Sequence, residues 1–456
     1  MPGELREPDL LPRARCQAIF DQVASAARAL GIRDVEASLA AGNSALTRFA
    51  NNAIHQNVAE RSTQVSVRVQ MEGRTARATT NRLTPASMRE VVEEAAALAK
   101  MQDQDGELLP MADGVASPEP ARWFEATARV TPADRAYAVA EAIRLVETAG
   151  QTAAGIYATS ESVQAILNTH GVFGYHTETM AQFSITAMAA DSSGWAKGSM
   201  CSHQDLDTPA MARSAAHKAK QSRGPVEAPP GSYTVILEPA AVLDLVGQMF
   251  FDFSATAVRD GRSFLRDRAG VKLFGENITI YDDACHALQA GAPFDGEGVP
   301  RRKLALVDRG RAHALPYCRQ AAHQAGVPPT GHGFPLPNEY GEAPLNIVIA
   351  GGETTLEQMI ASTDRGVLVT RLWYIREVDP YEKIMTGMTR DGTFRIEGGR
   401  VVGGIRNFRF NQSLVELLNN VEALSPSVRA SGEEAFDMVV PAMKVRDFHF
   451  TEVTRF

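Results

Sequence analysis

A zinc hydrolase holds its metal with imidazoles on one helix face and needs a nearby carboxylate to take a proton from bound water. The ten histidines of this 456-residue chain are His55, His170, His176, His203, His217, His286, His313, His323, His332 and His449. None is followed by glutamate, so the sequence contains no HExxH helix. His313, Cys318 and His323 lie five apart, and steps of five fall about 140° apart on a helix. A metal site there requires a loop, and ordinary core and surface roles are the simpler reading. His170 and His176 have no third ligand in view, and His55 reads as a strand residue. Asp282-Asp283 ends an apolar run and suits a turn better than a cation. No GxSxG elbow, P-loop or GxGxxG fingerprint is present.

Two further groups could meet a ligand. His332 lies in a Gly/Pro-rich loop, GVPPTGHGFPLP, where a substrate cleft and a plain structural turn are both open. Arg371, Trp373, Tyr374 and Arg376 share a β-branched and aromatic run. That run reads either as a peptide-binding wall or as core and rim packing.

The elements that must position these residues are densest over Leu345–Asn411. Asn346–Ala350 reads as a strand, broken by Gly351-Gly352. Thr354 and Glu357 have capping-box spacing for a short helix, and Gly366 is its expected stop. Val367–Val378 reads as a strand, and Asp391-Gly392 and Gly398-Gly399 as hairpin turns. Phe408–Asn411 alternates.

Upstream, an apolar face of Cys16, Ile19, Phe20, Val23, Ala27 and Leu30 marks a helix ended by Gly31. Strands are expected at Val35–Ala40, Phe49–Val58, Thr63–Met71 and, after a Glu72-Gly73 turn, Arg74–Thr80. Thr84-Pro85 opens a second helix. After a loop at Met101–Ala121 the order repeats. A helix opens at Thr131-Pro132 and strands follow at Gly155–Thr159, Ser162–Asn168, Phe183–Ala189 and Trp195–Cys201. A helix from Thr208-Pro209 closes the series. A tandem duplication and two unrelated lobes both suit this pattern. Gly224–Gly231, GPVEAPPG, is the expected hinge. Beyond it come a buried strand at Tyr233–Leu237, a helix from Pro239, strands at Gly261–Leu265, Asn277–Ile280 and Arg301–Val307, and alternation over Pro441–Val453.

GGETTLEQMIASTDRGVLVTRLWYIREVDP followed by TGMTRDGTFRIEGGRVVGGIRNFRFNQS resembles the C-terminal domain of the TldD/PmbA family. Its members include peptidases and were historically named modulators of DNA gyrase. TRFANNAIHQN, Thr47–Asn57, resembles the family's N-terminal signature. The resemblance implies α/β N-terminal portions before a large β-rich domain. Catalytic TldD-type members carry an HExxxH helix and a third ligand near the C-terminus. Here the matching stretch is LDLVGQ, where Leu243 and Gln248 stand for the two histidines and Asp244 for the glutamate. No cysteine follows Ser425. The resemblance therefore implies a PmbA/TldE-type chain with no zinc of its own, pairing with a zinc-bearing TldD-type chain and acting on unfolded peptide.

Composition sets the remaining bounds. A hydrophobic content of 44 % and a charged content of 22 % are ordinary for a globular protein. The net charge of −8 argues against nucleic acid as a partner. No apolar run approaches the roughly 18 residues of a membrane span, and the first residues lack a signal core. Cys16, Cys201, Cys285 and Cys318 are scattered without CxxC, as expected of reduced thiols in the cytoplasm.

The expected fold is α+β. An N-terminal α/β half with a possible internal duplication, units 1–105 and 106–223, precedes a β-rich domain at 230–456. The expected function is a metal-free subunit of a TldD/TldE-type peptidase, in peptide proteolysis or peptide natural-product maturation. The candidate site residues are Leu243, Asp244 and Gln248 at the degenerate metal helix, and His332, Arg371, Trp373 and Tyr374 for peptide. No catalytic residue or metal ligand is assigned. A peptidase with a diverged site of its own and a non-enzymatic peptide-binding homodimer remain alternatives.

Overall fold

The structure is a computed structural model that describes residues 10–454. The chain is mixed α+β, with an α/β N-terminal half and a β-rich C-terminal region that contains a closed barrel. The first unit runs α1 (Arg13–Ala29), β1 (Asp34–Ala50), β2 (Ala53–Met71), β3 (Arg74–Thr80) and α2 (Pro85–Lys100). The second follows the short α3 (Glu125–Ala128) and repeats the order as α4 (Pro132–Thr148), β4 (Thr152–Asn168), β5 (Phe173–Met188), β6 (Ser193–Met200) and α5 (Thr208–Gln221). The two units join through their first strands, giving one six-stranded sheet in the order β3-β2-β1-β4-β5-β6.

Alternation decides which face of this sheet is apolar. Val65, Val67 and Val69 point to the face covered by α1 and α2, against Ile19, Val23, Met88 and Val92. Phe183 and Ile185 of β5 pack with Val139 and Val146 of α4. Both α2 and α4 open on a threonine N-cap followed by proline, and Thr131 forms a full capping box with Asp134.

Long strands replace several shorter ones expected from sequence. Phe49–Val58 is not one strand: Asn51 and Asn52, with φ of 50° and 59°, turn the chain between β1 and β2. Paired left-handed residues match the twist of a tight hairpin, and asparagine tolerates them. Gly155–Thr159 and Ser162–Asn168 are one strand, β4, held continuous by β1 on one side and β5 on the other.

The C-terminal region begins with β7 (Gly231–Leu237), which leads straight into α6 (Pro239–Val246) and then α7 (Ala255–Arg259). Next come β8 (Ile280–Asp282), β9 (Leu304–Asp308), β10 (Arg311–Ala312), α8 (Arg319–Ala325), β11 (Ile347–Ile349) and α9 (Leu356–Ala361). The chain continues with β12 (Arg365–Asp379), β13 (Ile384–Glu397), β14 (Arg400–Gly404), β15 (Phe408–Ser413) and α10 (Leu414–Asn419). It ends with β16 (Val421–Leu424), β17 (Val428–Ala430), β18 (Met438–Val440) and β19 (Met443–Val453). Strands β12-β7-β19-β15-β13 pair in that order and β13 pairs back to β12, closing the barrel. Phe408, Phe410, Phe448 and Phe450 pack inside, with Phe408 and Phe450 stacked at 4.5 Å. A second sheet has the order β10-β9-β8-β11-β18-β17.

Four local expectations are corrected. The capping box of α9 is Thr355 with Gln358, one residue beyond Thr354 and Glu357. Gly366 lies inside β12, and α9 ends at Ala361 with Ser362 as its C-cap. Gly261–Leu265 is irregular, with Gly261 at φ +71° just past α7. Asp391-Gly392 is not a hairpin turn but a bulge within β13. Val369 faces Thr393 and Arg371 faces Arg390, so two residues oppose Thr370. Gly398-Gly399 does make the expected turn, with φ of 52° and 74°.

Buried charges hold the N-terminal sheet and the C-terminal loops together. Glu36 accepts from Arg68 at 2.8 Å and from Arg77 at 2.6 Å, and Arg77 Nε donates to the Leu336 carbonyl at 2.7 Å. Nearby Asp295 and Glu297 are both buried. Burial first, and then the Asp295 carboxylate, hold the Glu297 carboxyl above its ordinary 4.5. A carboxyl raised in the folded state contributes stability below its unfolded value and loses it as pH rises through the folded one.

Two outcomes follow. Gly392→Val should lower the melting temperature, by an amount equivalent to about 1–3 kcal/mol. A Cβ there meets Thr370 Oγ1 at 2.5 Å, and φ is +131°. An unchanged melting temperature refutes the bulge geometry. Glu297→Gln should flatten the fall in melting temperature between about pH 5 and pH 8 relative to wild type. Identical pH profiles for the two proteins would show that Glu297 does not carry a buried, raised carboxyl.

Candidate functional site

Helix α6 is fixed at its start by β7, whose last residues pair with β12 and β19. Glu238 supports the junction: its N–H donates to the Val369 carbonyl at 3.0 Å and its carboxylate accepts from Lys218 at 2.6 Å. The helix is apolar nearly all round, with Ala241, Val242, Leu243, Leu245 and Val246 buried. Asp244 is the one charged residue in it and is 0 % exposed.

Asp244 Oδ1 accepts the backbone N–H groups of Glu433 and Glu434, each at 2.9 Å. Gln248 Nε2 donates to the carbonyls of Asp244 and Glu434, both at 3.0 Å. Gly432 fits only because it has no side chain: a Cβ there meets Asp244 Oδ1 at 2.0 Å and Leu243 Cδ2 at 2.5 Å. Lys197 of β6 closes the other side, donating to the Gly432 carbonyl at 2.6 Å. Burial pushes the Asp244 carboxyl up to about 6, although the two N–H donors and the Arg371 charge pull it down.

The 432–434 segment passes the contact on. Glu434 Oε1 accepts from the N–H of Tyr374 at 2.8 Å and Oε2 from that of Ile375 at 3.3 Å. Tyr374 has φ +55°, a conformation that costs energy in a non-glycine residue, and the carboxylate cap holds it there. Its ring is half exposed under Arg376, at 4.5 Å.

The other expected peptide contacts separate. Arg371 is buried and ion-paired to Asp391, with Nε at 2.9 Å and Nη2 closer still. Ser193 Oγ holds the second Asp391 oxygen at 2.6 Å. The Arg371 guanidinium lies 4.9 Å from the Trp195 ring and 5.5 Å from Trp373, and Arg390 lies 4.9 Å from Trp373. Arg371 and Asp391 thus join the barrel to β6, and Trp373 packs beside Arg371 and Arg390 within the barrel wall. In this chain by itself Arg371 is not part of an open wall.

His332 is also enclosed, 1 % exposed, in the second sheet's surroundings. Its Nδ1 lies 2.9 Å from Thr330 Oγ1 and its Nε2 3.1 Å from Asp282 Oδ1. The second contact is within ion-pair distance but is not a hydrogen bond. Burial raises the Asp282 carboxyl, but His332, Arg301 and the Asn346 N–H outweigh it, and the net direction is down. Next to His332, Gly333 lines a cleft of about 460 Å³ between the polar face of the six-stranded sheet and the 290–296 loop. Ser66, Gln164, Asp295, Arg301 and Asn346 also line it.

The α6 residues do not fit zinc. Leucine has no donor atom, the Gln248 amide is spent on two carbonyls, and the accepting Asp244 oxygen is spent on two N–H groups. Among the described residues, no group of three or more His, Cys, Asp or Glu side chains has metal-binding geometry. Sequence reasoning missed Gly432–Glu434 and Lys197, which act across roughly 190 to 240 positions of chain without any local pattern. Asp244→Ala should cost about 1–3 kcal/mol in denaturant unfolding, because two buried N–H groups lose their acceptor. Asp244→Asn, which keeps that acceptor, should cost less. Equal losses would show that the cap is unimportant.

The comparisons agree with this architecture. The PmbA/TldA metallopeptidase domain 1 matches residues 35–99, the central domain 125–223 and the C-terminal domain 230–452. A protein of Methanothermobacter thermautotrophicus named metalloprotease is 23 % identical over 297 residues. That alignment spans 60 % of this chain and 62 % of the relative. The crystal structure of TldE from Thermococcus kodakarensis superposes with a TM-score of 0.86 at 21 % identity, covering 95 % of this chain and all of that one. A Thermotoga maritima chain described as a proposed modulator of a DNA gyrase gives 0.84 at 20 %, covering 96 % of this chain and 100 % of that one. Three consecutive domain matches, in order and over most of its length, make this chain a member of the PmbA/TldD metallopeptidase family.

Proposed function

We propose that this chain is a metal-free, TldE-type subunit of a cytoplasmic peptidase that works beside a zinc-bearing TldD-type chain on unfolded peptides. The reading covers both general peptide proteolysis and peptide natural-product maturation. The observation that carries it is the state of α6. Where the resemblance aligns the metal-binding helix, Leu243 is packed in the core and Asp244 is used as a structural cap for 433–434. The Asp244 carboxyl is 0 % exposed, with Oδ1 held by two backbone N–H groups, so no substrate water reaches it in this chain to give up a proton. The tasks left to such a subunit are to complete the reaction chamber, to cover an edge of the partner, and to hold extended peptide by strand addition. No helix among the described residues is long and apolar enough to cross a membrane.

The test is zinc content and hydrolysis of an unstructured peptide, measured for the purified chain alone and mixed with a TldD-type chain. The expected result is no stoichiometric zinc and activity in the mixture alone. Stoichiometric zinc with activity in the isolated chain overturns the proposal. In the mixture, Asp244→Asn should leave activity within a few-fold. A loss of about a hundredfold would make Asp244 an acid–base group and reverse the assignment.

A further inference from the structure

The cleft beside Gly333 has a polar floor and apolar walls. Its floor is the sheet face turned away from α1 and α2. There Ser66, Ser38 and Ile166 lie in one row across β2, β1 and β4, and Gln64, Ala40 and Gln164 in the next. The C-terminal loops supply Phe294, Phe334, Pro335 and Leu345 as walls, and Phe294 packs on Ile166. A volume of about 460 Å³ is within the range of small-ligand sites. Two charged residues line it, Asp295 and Arg301. The Asp295 oxygens are filled: Oδ1 accepts the N–H groups of Glu297 and Val299, each at 2.9 Å, and Oδ2 that of Gly333 at 2.7 Å. The Arg301 donors are not. Among the described residues its guanidinium forms no ion pair, and its Nη1 is closed off from water with no hydrogen-bond partner. An arginine kept for structure alone would bond the buried carboxylates that its charge acts on, Asp282 and Asp295. Asp282 instead accepts from the Asn346 N–H at 2.8 Å and faces His332. A guanidinium N–H that has lost water and gained no acceptor is costly to keep.

We propose that this cleft is a binding site for a small carboxylic acid with an apolar body, its carboxylate received by the Arg301 guanidinium. The C-terminus of a short peptide and a free aliphatic acid share that chemistry. A carboxylate offers two acceptor oxygens to the planar guanidinium fork. A single negative charge suits the site, because Arg301 is the one cation lining it and Asp295 stands against a dianion such as phosphate. Phe294, Phe334 and Leu345 give an aliphatic body an apolar wall, and the exposed Gln64 and Gln164 side chains offer amide groups to any polar part of the ligand. His332, one residue before Gly333, then sits behind the site and not in it, held between Thr330 and Asp282. The site uses none of the α6 residues, and the inference does not rest on the peptidase reading.

The experiment is isothermal titration calorimetry on the full chain, with N-acetyl-dileucine, its C-terminal amide, 4-methylpentanoate and inorganic phosphate as probes. At least one of the two acids should bind saturably, and the amide at least tenfold more weakly than N-acetyl-dileucine where the peptide is the ligand. The tighter of the two acids identifies the source, a peptide end or a free acid. Arg301→Gln should weaken acid binding at least tenfold and leave the amide unchanged, and Arg301→Lys, which keeps the charge without the fork, should recover part of the loss. Ala40→Phe fills the floor from an exposed strand position and should abolish acid binding while the circular dichroism stays that of wild type. No saturable binding of either acid, equal affinity for N-acetyl-dileucine and its amide, acid binding indifferent to both Arg301→Gln and Ala40→Phe, or phosphate binding more tightly than either acid overturns the proposal.

Discussion

Strand β12 is hydrogen-bonded on both edges, parallel to β7 and antiparallel to β13, and that double pairing closes the barrel. A closed barrel has no free edge, so the strands inside it have one register in which their apolar faces meet. Much of the site geometry follows from that register. Because β7 is locked beside β12, α6 leaves the barrel at a fixed point, with Leu243 in the core and Asp244 under the 432–434 segment. Because β13 bulges opposite Thr370, Asp391 turns toward Arg371. Because β12 carries a left-handed residue at Tyr374, two successive N–H groups converge on one Glu434 carboxylate.

The electrostatics of this region are those of a scaffold. A single buried acid in an apolar helix is costly unless its oxygens are used, and Asp244 uses one of them for two donors. The raised carboxyl that results could be read as an acid–base group by its perturbation alone. Geometry decides otherwise, since Oδ1 is held by two backbone amides and the whole side chain is buried away from solvent. Arg371 behaves in the same way. Its guanidinium is spent on Asp391 and on two indole rings, one from the central unit and one from the barrel.

The N-terminal half shows how one order of elements, used twice, gives two different edges. Both units present a long second strand and a short third one. In the second unit the linker after α2 and the C-terminal loops complete the edge, whereas in the first unit it is left to solvent. The buried Glu36–Arg68–Arg77 group then binds the sheet to the C-terminal loops through the Leu336 carbonyl, close to the raised Glu297 carboxyl.

The sequence by itself determined the elements whose code is local. Threonine–proline helix starts, the Glu72-Gly73 and Gly398-Gly399 turns, the alternating strands and the long C-terminal pattern were all legible, because each depends on neighbours within a turn or a strand repeat. The lack of an HExxH helix was legible for the same reason. Tertiary structure decided the rest. Only pairing on both sides makes β4 one strand, and only the register against β12 turns Asp391-Gly392 from a turn into a bulge. Only folding brings Gly432–Glu434 and Lys197 to α6, or encloses His332 and Arg371. Those contacts join residues far apart in the chain, so their specificity resides in packing and strand register, which no local spacing of residue types encodes.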